Sequence, residues 1–420
     1  MKPKILTTLP DYTSALLVKD AIAGVTVAMV ALPLSLAIAI ASGADPSTGL
    51  VTAIVAGFLI SLLGGSRVQI GGPTGAFIVI VFSVIAEHGY DGLVMATFMA
   101  GLILLIAGYF RAGNLIRLVP EPVINGFTIG IAVIIATSQL KDLFGLSVAE
   151  VPAEFLSKID VLWAARPTFS AASALIGLGT MVLIVVFRRV APKLPGLIAA
   201  VAVTSAIVAL ADLPVDTIGS RFGDLPNTLP WPALPDFSFG RVIELLPSAL
   251  IIAFLAGVES LLSAMVADRM IAGRHRPNAE LLAQGAANIG SSLFGGLPAT
   301  GAIARTATNV RAGGKTPVAG LVHAVTILLV MLVASRLIGY LAMPALAGLL
   351  ILTAWNMSEP SKWRGYLAER KSDIFLLALT MILTVVADLA VAIGIGVALG
   401  LAFRLQRRNV PPSDWSDPDR

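Results

Sequence analysis

Long apolar runs recur along the whole chain, and they restrict its fold more than any other feature. Each extends for about 15 to 22 residues, and a helix needs roughly 20 apolar residues to cross a bilayer. Of the 420 residues, 57% are hydrophobic and 13% are charged, about half the charged fraction of a typical soluble domain. The sequence therefore predicts an all-α polytopic membrane protein.

The apolar runs predict fourteen transmembrane segments. The first begins near Asp20 and has no small-residue cleavage site after it, so we interpret it as a permanent span. Basic residues concentrate in alternate loops, which places both termini in the cytoplasm and predicts a multi-pass protein of the cell inner membrane. The predicted segments are 20–42, 50–65, 75–87, 92–110, 122–140, 168–187, 195–212, 246–268, 279–294, 301–311, 318–335, 341–356, 373–388 and 390–406.

The two halves of the sequence resemble each other. SLLGG at 61–65 matches SLFGG at 292–296, and AGV at 23–25 matches AGV at 256–258. A shared order and a nearly constant offset favour an internal repeat, although small residues that let helices approach closely would produce similar matches. Seven segments per half is an odd number, so the second repeat enters the membrane from the opposite side, as in secondary transporters.

Each half also contains a helix breaker, GGPTGA at 71–76 and GGLPATGA at 295–302. The segments that follow, 75–87 and 301–311, are too short to cross the bilayer, so we predict half-helices 3 and 10, each preceded by an extended strand. In opposite orientations, two such helix N-termini face each other at mid-membrane. Helix N-termini carry partial positive charge and free N–H groups, so the pair predicts an anion site.

Small residues at the two breakers are candidates for the anion site. Thr74 and Thr300 would cap the half-helices or contact the ligand, and each glycine would leave its first turn open. The predicted substrate-binding residues are Thr74, Gly75, Ala76, Thr300, Gly301, Ala302, Ala304 and Arg305, with Ser35 and Ile38 of the first helix, which is kinked at Pro33.

Two of the charged residues inside predicted segments bear directly on function. Arg305 lies one turn after Gly301, where a buried cation requires compensation by a substrate anion, by a carboxylate such as Glu259, or by reaching the cytoplasm. Glu259, in GVESLLS, is a candidate coupling-ion residue that exchanges a proton, or a fixed counter-charge for Arg305. We predict no metal site, cofactor or enzymatic activity, because the chain has no Cys and only three scattered His.

The motif NAELLAQGAANIGSSLFGGLPATGAIARTATNVRAGGKTPVAG at 278–320 resembles the SulP family of anion permeases, which includes prestin- and pendrin-like proteins. The first span, DAIAGVTVAMVALPLSLAIAIASG, is similar to the family's first span, and the likeness extends over most of residues 18–406. Ala304 stands where some members have Ser, and Ile38 where some have an aromatic residue. Arg305 corresponds to the family's basic substrate-site residue.

The resemblance implies two inverted seven-segment repeats, a core domain, a gate domain and a homodimer. We expect a cytoplasmic N-terminus at 1–19, a core domain formed by 20–121 and 246–335, a gate domain formed by 122–245 and 336–406, and a cytoplasmic tail at 407–420. The family usually continues into a STAS domain, which we expect this chain to lack.

The sequence thus predicts secondary active transport of a small anion by alternating access, with proton-coupled symport or exchange. Sulfate, bicarbonate, chloride and dicarboxylates all suit such a site, and the other expected partners are protons and the lipid bilayer, with no nucleic acid. The alternatives are a nucleobase-type proton symporter of the same fold, an anion channel, and a voltage-driven motor without net transport.

Overall fold

The computed structural model describes residues 2–113, 120–148, 151–191, 195–387 and 389–406, so the predicted tail at 407–420 lies outside the described residues. The described chain is mostly helical, with short 3-10 turns at Gly75–Phe77, Arg166–Thr168 and Pro360–Lys362. The strands are β1 (Gly71–Gly72) and β2 (Thr300–Gly301). The helices are α1 (Ile5–Thr8), α2 (Ser14–Ala41), α3 (Pro46–Leu63), α4 (Ile78–Tyr109), α5 (Glu121–Ser138), α6 (Leu140–Leu143), α7 (Phe155–Ala164), α8 (Ala171–Val190), α9 (Gly196–Leu210), α10 (Ile218–Phe222), α11 (Phe239–Ile271), α12 (Pro277–Leu293), α13 (Ile303–Arg311), α14 (Val318–Gly339), α15 (Met343–Met357), α16 (Trp363–Ala368), α17 (Lys371–Val386) and α18 (Leu389–Gln406).

Within the described ranges, seven helices are long and apolar enough to cross a membrane. They are Ser14–Ala41, Pro46–Leu63, Gly75–Tyr109, Glu121–Leu143, Ala171–Val190, Phe239–Ile271 and Val318–Gly339. Gly196–Leu210 and Val391–Phe403 are apolar but shorter. The prediction of a mostly helical protein with several apolar helices is confirmed, whereas the count of fourteen segments in two inverted repeats stays a prediction.

Local sequence explains where the helices near the two helix breakers begin and end; the breakers at 71–76 and 295–302 are called the first and the second break below. The carboxylate of Asp45 accepts a hydrogen bond from the Ser47 N–H at 2.8 Å, and Pro46 occupies the first turn of α3, where a missing N–H costs nothing. Helix α3 ends before Gly64, whose extended backbone leads into β1. In the second half, α12 likewise begins at a proline, Pro277, and Gly295 follows its end at a φ of 65°.

Two groups of helices pack among themselves. The first contains α2, α3, α4, α11, α12, α13 and α14, and the second contains α5, α6, α8, α9, α15, α17 and α18. Glycines permit close crossings in both groups: Gly101 of α4 lies against Gly285 of α12, and Gly177 of α8 against Gly348 of α15. Helix α2 also packs against α9 and α15, so it lies at the boundary between the groups.

The helices after the two breaks differ from their predicted bounds. The first continues through the predicted gap at 88–91 as α4, with a kink at Gly89, whose φ of 72° is accessible to glycine. A 3-10 turn at Gly75–Phe77 precedes α4. The second, α13, begins at Ile303 instead of residue 301, because Thr300 and Gly301 form β2.

Candidate functional site

The two breaks meet as a short antiparallel strand pair. Gly71 pairs with Gly301 and Gly72 with Thr300, and the Ala302 N–H donates to the Ile70 carbonyl at 2.8 Å. Helix α13 supplies further partners, since the Thr306 hydroxyl accepts from the Ile70 N–H and the Asn309 amide donates to the Val68 carbonyl. These bonds satisfy extended backbone inside the protein, which lipid cannot do.

Arg305 of α13 reaches across the strand pair to the first half of the chain. Its Nη2 donates to Ser35 Oγ at 3.0 Å and to the Pro73 carbonyl at 3.1 Å. The side chain is only 1% exposed, yet Nε and Nη1 have no hydrogen-bond partner. No carboxylate of the described chain lies within 4.0 Å of the guanidinium, so the structure contains no Arg305–Glu259 ion pair.

Thr74 and Glu259 form a second polar contact beside this arginine. Thr74 Oγ1 donates to Glu259 Oε2 at 3.0 Å, and both residues are half-buried. Thr74 is the N-cap of the 3-10 turn, but its hydroxyl makes no capping bond. The sequence predicted that the Thr74 hydroxyl would cap a helix or contact the ligand. In the structure it bonds to the Glu259 carboxylate of α11 instead.

Gly75 and Ala76 are buried, and Gly75 faces the second group of helices. A Cβ on Gly75 would lie 3.0 Å from Met357 Sδ of α15 and 3.6 Å from Ile135 Cδ1 of α5. The first break therefore lies at the boundary between the two groups of helices. A molecule bound beside Thr74 would contact both groups.

The second break does not mirror the first. Thr300 was predicted at a cap position, but it lies in β2 and its hydroxyl donates to the Ala256 carbonyl at 2.9 Å. Ala302 is the N-cap of α13 instead. Gly301 packs directly on Gln69 and Ser260, so a side chain has no room at this position. Ala304 is exposed beside Arg305, so it alone of these small residues offers an open surface.

The α2 candidates differ in their contacts. Ser35 is fully buried, accepts from Arg305, and donates to the Ala31 carbonyl at 2.8 Å. Ile38 is 2% exposed and belongs to the apolar core. The structure thus links Ser35 with Arg305 and Thr74 with Glu259, whereas a role for Ile38, Thr300, Gly301 and Ala302 in substrate binding stays a prediction.

A buried polar network that sequence reasoning did not assign holds the first break against α11. Ser260, next to Glu259, accepts from Gln69 Nε2 at 2.9 Å and donates to Glu280 Oε1 at 3.0 Å. Gln284 Nε2 donates to both Ser260 Oγ and Glu280 Oε1, and the Gly65 N–H donates to Glu280 Oε2. In the sequence, the NAEL motif, which contains Glu280, was the feature that could have indicated this network.

His323 was also not predicted as part of this region. It is fully buried in α14, and neither ring nitrogen has a hydrogen-bond partner. Its ring lies near Gly57 of α3, which also packs against the Gly71 carbonyl of β1. Among the described residues, no group of three or more His, Asp or Glu side chains could hold a metal ion.

The fold is that of a transporter membrane domain. The chain superposes on the transmembrane domain of a cyanobacterial bicarbonate transporter, BicA, with a TM-score of 0.81 and 28% identity, covering 93% of this chain and 98% of that one. Murine Slc26a9, an anion transporter solved in the inward-facing state, matches with a TM-score of 0.87 over 96% of this chain and 71% of that one. Its identity of 19% supports the fold alone.

Sequence comparisons identify the family. The family model described as "Sulfate permease family" matches residues 17–380, and the chain belongs to this family. "Putative sulfate transporter YvdB" of Bacillus subtilis is 44% identical over 93% of this chain and 74% of its own length. "Bicarbonate transporter BicA" of Picosynechococcus is 30% identical over 89% of this chain and 67% of its own length. The predicted SulP resemblance is confirmed, and the chain is a non-enzymatic, multi-pass membrane protein.

Proposed function

We propose that the protein transports a small anion, sulfate or bicarbonate in the first instance, by alternating access. The observation that carries this proposal is Arg305, a buried guanidinium with two unpartnered nitrogens and no carboxylate within 4.0 Å among the described residues. An isolated buried cation is unfavourable unless a counter-charge accompanies it. A bound anion between Arg305 and Thr74 would supply that charge.

The two groups of helices support a division into a moving core and a gate. The first group holds both breaks and Arg305, and the second presents Ile135 and Met357 to the first break. We assign the first group to the core (20–121 and 246–335) and the second to the gate (122–245 and 336–406). Both termini are cytoplasmic in this proposal, the membrane is the inner membrane, and a homodimer remains the family expectation.

Proton coupling through Glu259 extends the proposal. The Glu259 carboxylate lies beside the candidate anion site and has the Thr74 hydroxyl as its partner instead of a cation. It can therefore gain or lose a proton without breaking an ion pair. Binding a proton together with the anion would reduce the net charge that the core carries across the membrane.

Reconstituted proteoliposomes test the transport proposal. We expect uptake of labelled sulfate or bicarbonate, and at least about 100-fold lower uptake by Arg305→Ala, because a partner of a buried charge contributes roughly 3 kcal/mol or more. Arg311→Ala, on the exposed end of the same helix, is the matched control and should transport normally. Full uptake by Arg305→Ala would refute this site, uptake of labelled uracil alone would favour the nucleobase symporter, and uncoupled conductance would favour a channel.

The same vesicles test coupling. An inward proton gradient should accelerate uptake by the wild type but not by Glu259→Gln, which keeps the side-chain shape and cannot ionise. Anion exchange without a gradient should persist in this variant. If Glu259→Gln still responds to the gradient, the proton is carried elsewhere.

A further inference from the structure

Helix α7 carries a buried lysine, Lys158, at the boundary between the two groups of helices. Its Nζ donates to Ser138 Oγ of α5 at 3.0 Å and lies 5.4 Å from the ring centroid of Phe82 in α4. The side chain is 4% exposed. Lys158 therefore contacts the proposed gate through its hydrogen bond and the proposed core through the aromatic ring.

The charge of Lys158 is not balanced by a carboxylate. An ammonium group has three donors, of which one is used here, and no described carboxylate lies within 4.0 Å of Nζ. The Phe82 ring supplies weak cation–π stabilisation. Burial lowers the pKa of Lys158 to about 8. Like Arg305, Lys158 therefore has no counter-charge among the described residues.

Charged groups on the neighbouring elements have other partners or other positions. Lys371 and Asp373 begin α17, which runs parallel to α5, so they lie at the end opposite to Ser138. Asp160 is exposed on α7 itself. Asp91 is exposed on α4, and Glu121 begins α5 at the end opposite to Ser138. The other nearby groups bond elsewhere: His88 to Glu244 and Glu87, Arg221 to Asp142, Lys141 to the Val148 carbonyl, Glu154 to Ser157, and Arg166 to the Trp163 carbonyl.

Lys158 lies along the same boundary as the candidate anion site. Gly75 and Ile135 face each other at that site, and the two contacts of Lys158 are farther along the same chain segments. Phe82 is seven residues beyond Gly75, about 10 Å of helix, and Ser138 is one turn beyond Ile135, about 5 Å. Gly43, between α2 and α3, also packs on the Phe82 ring. This end of the boundary is the outer one in the proposed orientation.

We propose that Lys158 forms a second anion site at the outer end of the core–gate boundary, where it binds a small oxyanion before the anion reaches Arg305. This inference rests on the proposed function. When the core moves away from the gate, Phe82 and Ser138 separate and the ammonium is uncovered. In the closed arrangement the ring and the hydroxyl replace the anion.

Because the chain contains no cysteine, a single Lys158→Cys substitution permits a charge-rescue experiment. In proteoliposomes of uniform orientation, we expect the external KM for sulfate or bicarbonate to rise about fivefold or more, with little change in kcat for uptake. Treatment from outside with 2-aminoethyl methanethiosulfonate restores an ammonium and should restore the KM. Methyl methanethiosulfonate adds no charge and should not. Lys141→Cys, a lysine of the same side that bonds to a backbone carbonyl, is the matched control.

A conservative variant keeps the test decisive if Lys158→Cys does not fold. Lys158→Arg retains the charge and should keep the wild-type external KM at pH 7. Since the lysine loses its proton as pH rises through about 8, the external KM of the wild type should increase above that pH, and that of Lys158→Arg should not.

An unchanged external KM in Lys158→Cys, equal rescue by both reagents, or identical pH profiles for wild type and Lys158→Arg would each overturn the second site. Failure of the proposed function is distinguishable, because Arg305→Ala would then retain uptake whatever happens at Lys158.

Discussion

The two breaks contain the same tripeptide, Thr-Gly-Ala, at different positions in the structure. At 74–76 the tripeptide follows β1 and begins a 3-10 turn at the boundary between the two groups of helices, and the Thr74 hydroxyl bonds to Glu259. At 300–302 the first two residues form β2 itself, and the Thr300 hydroxyl bonds to a backbone carbonyl. At the candidate site, the first break therefore provides the Thr74 hydroxyl and the Pro73 carbonyl, whereas the helix after the second break provides the charge of Arg305.

This difference shows how a repeated sequence can occupy two different structural positions. Antiparallel pairing places Gly71 opposite Gly301, so each break supports the other. The hydroxyls differ in the same way, since that of Thr300 is buried on a backbone carbonyl, whereas Thr74 is half-buried and bonds to a carboxylate.

The largest expected effect separates the two glycines of the tripeptides. In Gly301→Ala, the new Cβ would overlap Gln69 Nε2 and displace it from Ser260. We expect the free energy of unfolding to fall by about 3 kcal/mol or more, because of overpacking and lost buried hydrogen bonds. In Gly75→Ala, the flexible Met357 can yield, so the cost should stay below about 1 kcal/mol. Thermal unfolding in detergent measures both, and equal losses would contradict the comparison.

The next effect concerns the support of Arg305. Ser35→Ala removes one of the two hydrogen bonds of Nη2, and we expect the KM for the transported anion to rise about tenfold. Ser42→Ala is the matched control, because its hydroxyl is equally buried in the same helix region and bonds only to the Ile38 carbonyl. Uptake kinetics decide between them, and a similar KM in both variants would mean that Ser35 does not position the guanidinium.

A smaller effect distinguishes the two threonines. Thr74→Val removes the donor to Glu259, and proton-driven uptake should fall about fivefold with little change in unfolding temperature. Thr300→Val should lower the unfolding temperature, while the folded fraction transports normally. The reverse pattern would place the ligand at the second break instead of the first.

The smallest expected effect is at Ala304, the exposed residue beside Arg305. Ala304→Ser adds a hydroxyl where some family members have one, and the ratio of sulfate to bicarbonate uptake should change about twofold. Ala307→Ser, one turn later in α13, should leave the ratio unchanged. A shift in both variants would indicate a general effect on the helix.

Periodicity and composition were sufficient to predict the apolar helices and the two breaks, because these depend on local sequence. Arg305 was recognisable for the same reason, as a cation in an apolar segment. The positions of Thr300 and Gly301 were not, because the strand pair depends on a partner about 230 residues away. The sequence showed Ser260 and Glu280 as parts of motifs but did not show their contacts, because their hydrogen-bond network joins three separate segments of the chain.

Helix α7 illustrates another limit. Its residues 155–164 carry two charges and lie between apolar segments, so the sequence pattern indicates a loop. The burial of Lys158 results from packing against α5 and the Phe82 ring, neither of which is adjacent in sequence. A buried lysine of this kind can be recognised only when the packing of the helices around it is known.

The strand pair also has a consequence for biosynthesis. Residues 68–72 obtain their backbone partners from Thr300, Gly301, Ala302, Thr306 and Asn309. The first break is synthesised about 230 residues before those partners. Backbone N–H and C=O groups without hydrogen-bond partners are unstable in lipid. We therefore expect the nascent first break to stay away from lipid, beside the insertion machinery or in water, until the tenth predicted segment emerges. A chain stalled before residue 300 should accordingly be cleared by membrane proteases, although its early helices are complete.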